Sequence, residues 1–346
     1  MEFLSEYGLF LAKGVSFVVL LLVAFAGLVA IGSKSKKEAK GHIEVEPINE
    51  RLDEMEDTVK AAVLTEHAYK HLEKERKKAD KEQAKKAKKQ TEEEARKRVY
   101  VLDFNGDMKA SDVEHLREEI TAVLTMATPA DEVILRLESP GGLVHAYGLA
   151  ASQLVRIRNR NIPLTIVVDA VAASGGYMMA CVGTKILAAP FAVIGSIGVL
   201  AQLPNFHRLL KKNSIDFELF TAGEHKRTVT MFGENTDKGR EKFNEELEDT
   251  HQLFKHFIAE HRPQVNINEV ATGEVWYGRR ALENHLIDDL QTSDEYILSL
   301  RESCDIYEVS FAHKKTLQER LGLAAESAME RSFMKLWSQL TLKKNY

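Results

Sequence analysis

An α/β fold with a parallel sheet is what this sequence predicts, on three observations. Strand-length apolar runs alternate with helix-length amphipathic runs from about residue 98 to residue 190. Two of those runs, residues 133–137 and 164–168, are apolar along most of their length, as strands buried on both faces are. A glycine turn follows each, ESPGG at 138–142 and ASGG at 173–176, and each turn opens a helical pattern.

The elements follow in chain order. Residues 14–32 carry no charge and are about long enough to cross a bilayer core of roughly 30 Å. They predict an uncleaved N-terminal transmembrane helix within an anchor of residues 1–40. Glu2 and Glu6 spoil the basic leader that a cleaved signal peptide carries. Lys34, Lys36, Lys37 and Lys40 come next, and this positive flank predicts a cytoplasmic C-terminal side. Residues 41–97, dominated towards their end by Lys, Glu and Ala, predict a charged helical stalk.

The globular part, residues 98–312, opens with a strand at 98–104. Ser111 and Glu114 have the spacing of a capping box, and Val113, Leu116, Ile120, Val123 and Leu124 share a helix face. Strand 133–137, the first turn and a helix over 146–158 come next. Strand 164–168, the second turn, a helix over 176–182 and a strand over 185–189 follow. A surface helix is expected over 205–212, a strand at 216–220, and a long charged helix over 236–261, stopped before Pro263. Residues 313–346 predict a C-terminal amphipathic helix whose Met329, Phe333, Leu336, Trp337 and Leu340 face needs burial.

Composition narrows the function. The 346 residues are 44% hydrophobic and 29% charged with a net charge of −5, which argues against a dedicated nucleic-acid binder. Only two cysteines, Cys181 and Cys304, are present, so a disulfide framework is not expected. The first turn offers bare backbone N–H groups at a helix start, where an oxyanion is stabilised. The second holds Ser174 among small residues, open to close approach. A serine hydroxyl needs a base to take its proton. His207 reads as a solvated helix residue, His145 follows the first turn, and His225 adjoins Lys226. A lysine serves as a base where burial strips water from its ammonium and lowers its pKa, and Ser–Lys pairs are a known variant of the triad. Lys226 is therefore a candidate base, against the plainer reading of a solvated surface lysine.

Four ordered motifs, SPGG at 139–142, AASGGY at 172–177, GSIGV at 195–199 and AGEHK at 222–226, resemble the SppA/SohB signal-peptide-peptidase family of serine peptidases. The likeness extends through LREEITAVL at 116–124, GENT at 233–236 and EVWYG at 274–278. It implies a ClpP/crotonase-like β-α-β superhelix and a Ser–Lys dyad without metal or cofactor. Ser174 matches the nucleophile, Lys226 the general base and Ser196 the serine that orients the lysine. The backbone N–H groups of Gly142 and Gly175 match the oxyanion hole. The resemblance also implies ring or dome homo-oligomers in which serine and lysine come from adjacent subunits. It implies a bacterial inner-membrane protein with a periplasmic catalytic domain, against the lysine flank.

The expected function is a membrane-anchored serine endopeptidase acting on peptides or membrane-protein fragments. Its expected partners are those substrates, membrane lipid and further copies of itself, with no nucleic acid. The rivals are a non-catalytic peptide-binding scaffold of the same fold and a crotonase-like acyl-CoA enzyme. The second rival needs neither the anchor nor both Ser174 and Lys226.

Overall fold

The computed structural model describes residues 13–17, 41–71, 74, 75, 78 and 96–312. Residues Ile43–Phe311 form one unit; Met1–His42 with Ala312–Tyr346 form another, and little of the latter is described. Most of the expected membrane helix, the later part of the stalk and the C-terminal helix lie outside the described residues. Among the described residues, no helix is long and apolar enough to cross a membrane.

Among the described residues ten strands make two sheets. The larger has the order β1-β10-β2-β3-β4-β6-β9 and the smaller β5-β7-β8. Their ranges are β1 His42–Pro47, β2 Lys97–Asn105, β3 Glu132–Glu138, β4 Leu164–Val168, β5 Val171–Ala173, β6 Lys185–Ala188, β7 Val193–Gly195, β8 Val275–Tyr277, β9 Asp289–Leu290 and β10 Cys304–Ala312. From β10 across to β9 every neighbouring pair is parallel, as the strand–helix alternation predicts. In the smaller sheet β5 and β7 are parallel, while β7 and β8 are antiparallel.

Side-chain alternation along β2 shows why the sheet is covered twice. Tyr100, Leu102 and Phe104 enter one apolar cluster with helices α2 (Val113–Leu124) and α3 (Val144–Arg158). Val99 and Val101 point the other way, into a cluster with Ile48, Ile134, Val167, Leu187, Ile297 and Ile306. Ile48 opens α1 (Ile48–Val63), and Ile297 lies on α9 (Ser293–Leu300). The folded unit therefore starts upstream of residue 98: β1 joins the sheet and α1 covers its second face. Asn49 fixes that cover. Its amide donates to the carbonyls of Arg301 and Cys304 and accepts from Ile306 N. Arg301 in turn pairs with Asp53 and Glu56.

Other expectations shift. The capping box does not form. Asp112 occupies the N-cap position of α2 without a capping bond, and its carboxylate accepts from Asn105 N and contacts His115 instead. Ser111 bonds Asp107. Residues 216–220 do not form a strand and join neither sheet. The long helix α6 (Asp237–His261) does form, with Thr236 capping it by accepting from Gly239 N at 3.1 Å. Further helices within residues 96–312 are α4 (Gly175–Ala180), α5 (His207–Lys212), α7 (Ile267–Val270) and α8 (Gly278–Glu283). Cys181 packs in the core as expected, fully buried, and burial pushes its thiol pKa up.

Glu119 on α2 is 6% exposed. One carboxylate oxygen accepts from Phe311 N at 2.8 Å, and the other meets no hydrogen-bond partner among the described residues. Burial, aided by the charges of Asp112 and Asp103 and opposed by the Phe311 bond, raises its pKa from 4.5 to about 7. The folded chain thus holds this proton more tightly than the unfolded chain. Its contribution is full below pH 4.5, is lost as pH rises, and levels off above about pH 7. Glu119→Gln is expected to raise Tm at pH 8 and leave it nearly unchanged at pH 4. Thermal melts at both values check this, and equal shifts would remove titration as the cause.

Candidate active site

The two glycine turns meet in space. Ser139 N donates to Val171 O at 2.8 Å, and Ala173 N donates to Ser139 O at 3.0 Å, joining the end of β3 to β5. β5 is a strand where the sequence reading had only the lead into the second turn; it steps the chain sideways so that Ser174 emerges beside the first turn. Ser174 sits at φ 53° and ψ −118°, a conformation that L residues rarely adopt. Three neighbours hold it there. Its N–H donates to Gly195 O at 2.7 Å, and its carbonyl accepts from Met178 N at 3.0 Å. Gly141, at φ 88°, presses against it so closely that an added Cβ would lie 2.8 Å from Ser174 Cβ. Strain of this kind at a loop tip costs on the order of 1–3 kcal/mol and marks functional positions.

A cavity of about 470 Å³ opens beside Ser174. Ser174, Ser196, Gly142 and Gly198 line it, with Leu143 and Leu200 among its apolar walls. Ser196, at φ 50°, is held by its N–H donating to Glu274 O at 2.7 Å. The amides of the first turn divide in a telling way. Gly141 N donates to Ser139 Oγ at 3.1 Å and Leu143 N donates to Met108 O at 2.9 Å. Gly142 N–H, between them, meets no acceptor among the described residues. Gly175 N–H opens α4, where a helix has no internal acceptor to offer. The site thus presents a serine hydroxyl and two unengaged amides on adjoining turns, the equipment for attack on a carbonyl and support of the resulting oxyanion.

Ser174, Ser196, Gly142 and Gly175 are therefore brought together. Lys226 is not: it is exposed and stands outside the cavity's lining. It lies in residues 199–235, which among described residues hold one short helix, α5, and no strand. His225 is exposed and sits 4.0 Å from Glu224; His145 is exposed on the first turn of α3; His207 opens α5. Sequence reasoning missed Gly141 and Met108. The first had a visible signal, since two consecutive glycines after proline mark a turn needing positive φ; the second had none.

Comparison with known proteins shows the family. The N-terminal model of peptidase family S49 matches residues 2–154, and the family's main model matches residues 156–306. The chain is 47% identical over 337 residues to "Probable protease SohB" of Haemophilus influenzae, covering 94% of each. It is 47% identical over 305 residues to a protein of the same name from Buchnera aphidicola, covering 86% of this chain and all of that one. A more distant likeness, 26% over 167 residues, is to "Protease 4" of Haemophilus influenzae, covering 48% of this chain and 27% of that protein. Identity this high across nearly the whole length places the chain: it belongs to peptidase family S49, with the SohB and SppA proteases.

Proposed function

We propose that this protein is a membrane-anchored serine endopeptidase using a Ser–Lys dyad. The observation that carries the reading is Ser174, held at φ 53° on a cavity wall beside two unengaged amides. Neutral Lys226 takes the proton of Ser174 Oγ as that oxygen attacks the peptide carbonyl carbon. Gly142 and Gly175 N–H donate to the oxyanion. The tetrahedral adduct collapses, the C–N bond breaks, and the lysine ammonium gives its proton to the departing amine. Water, deprotonated by Lys226, then hydrolyses the acyl-enzyme and restores Ser174. Ser196 accepts from and orients the lysine.

A lysine base must be desolvated, yet Lys226 is exposed in the single chain. A neighbouring copy is the natural source of the missing cover. The segment 199–235 that carries Lys226 supports this, because its Leu203, Phe217, Leu219 and Phe220 are exposed apolar side chains that need burial. The apolar walls of the cavity fit peptides with apolar side chains, among them fragments of membrane segments. The uncharged stretch 14–32 supports anchoring, and family resemblance suggests the bacterial inner membrane with a periplasmic catalytic domain.

The direct test is labelling of the purified full-length protein with a fluorophosphonate, followed by mass spectrometry of the digest. One adduct, on the peptide carrying Ser174, is expected. Stoichiometric labelling of a different serine would overturn the assignment.

A further inference from the structure

We propose that Tyr147 and Ser139 form a positioning pair that sets the spacing of the two oxyanion donors, Gly142 and Gly175. The proposal rests on the serine-peptidase reading above. Tyr147 lies on α3, fully buried, and touches both donor turns at once. Its hydroxyl donates to Asp107 O at 2.7 Å and lies 2.5 Å from Ser139 Oγ. The phenol has one proton, and Asp107 O receives it. Ser139 must therefore be the donor in the second contact, which leaves Ser139 Oγ to accept from Gly141 N at 3.1 Å. The chain of donation runs one way, from Gly141 N–H through Ser139 and Tyr147 to Asp107 O. It anchors the residue immediately before the unengaged Gly142 amide.

The ring does the second half of the work. It lies against Gly175, where an added Cβ would come within 2.3 Å of ring carbon Cγ, and it meets Phe104 edge-on at 6.4 Å. One side chain therefore fixes the first turn through its hydroxyl and packs the second through its ring and Cβ. Gly106 completes the fit. A Cβ there would lie 2.3 Å from Ser139 Oγ and 2.4 Å from Tyr147 Oη, so only glycine leaves room for the hydroxyl pair. Burial raises the phenol's pKa, so it keeps its proton and its role as donor across the working range.

The test compares Tyr147→Phe and Ser139→Ala with wild type, all as full-length protein in detergent. Removing a whole oxyanion donor costs about 100- to 1,000-fold in kcat, so misplacing one should cost about 10- to 100-fold. KM should stay within about twofold, since the interaction is made only in the transition state. A peptide aldehyde, whose adduct with Ser174 puts an oxygen in the hole, should lose affinity by the same factor as kcat. Affinity for the uncleaved peptide, measured in a Ser174→Ala background, should not change. Unchanged kcat, or equal loss of aldehyde and uncleaved-peptide affinity, would overturn the proposal. Ser139→Ala leaves the phenol bonded to Asp107 O, so it carries the test alone if Tyr147→Phe fails to fold. The underlying reading fails separately: it falls if Ser174→Ala still cleaves, whatever the two variants do.

Discussion

Ser174→Ala is expected to abolish peptide cleavage, by roughly 10⁴-fold or more, while leaving the fold in place. The loss follows from chemistry, since no other hydroxyl sits on the strained turn between the Gly142 and Gly175 amides. Retention of the fold follows from contacts. The turn is held by backbone bonds, Ser174 N to Gly195 O and Met178 N to Ser174 O, and neither uses the side chain. Ser174→Gly sharpens the test. A residue at φ 53° is strained unless it is glycine, so this variant should be inactive yet more stable by about 1 kcal/mol. Kinetic assays and thermal melts on the three proteins check both halves. An active Ser174→Gly, or a Ser174→Ala that cleaves at near wild-type rate, sinks the nucleophile assignment. A Ser174→Gly no more stable than wild type shows instead that the turn is relaxed.

The parts of the fold that were legible in the sequence are those where one periodicity dominates. β2, β3 and β4 are near-continuous apolar runs because helices cover both faces of the sheet. The five apolar positions of α2 recur at helical spacing because one face meets the core. The cover of the second face was hidden. α1 buries only Ile48 fully, with Leu52 packed beside the cluster, and its charged remainder looks like the stalk that follows. Local signals also lost to tertiary partners. Ser111 and Asp112 look like capping residues, but Asp107 and Asn105 claim their side chains. At the site, Ser174 and the glycine turns were legible because backbone demands write themselves as glycine. Tyr147 was not, because a buried tyrosine on an amphipathic helix looks like ordinary core until its hydroxyl's partners, 8 and 40 residues away, are known. Lys226 was a candidate base against the plainer reading of a solvated lysine, family resemblance strengthened it, and the single chain leaves it in solvent.

That exposed lysine makes the second large effect a question of assembly. Lys226→Arg should be as inactive as Ser174→Ala, since a guanidinium stays protonated and cannot serve as base. Mixing is more informative. If each site takes its serine from one copy and its lysine from the next, the contact is heterologous and closes a ring. In an equal, fully exchanged mixture of Ser174→Ala and Lys226→Ala proteins, half the copies keep the serine and half keep the lysine. About one quarter of the sites then unite both, and activity should recover to about one quarter of wild type. If the dyad lies within one copy, every site lacks one partner and nothing recovers. Native mass spectrometry must show mixed assemblies, so that silence is not mistaken for failure to exchange. Verified mixing without recovery would return Lys226 to its own chain, and residues 199–235 would then have to fold over the Ser174 cavity to deliver it. Recovery would explain why Leu203, Phe217, Leu219 and Phe220, in the same stretch of chain as the lysine, are left exposed: the surface that closes the ring would also strip the water from its base.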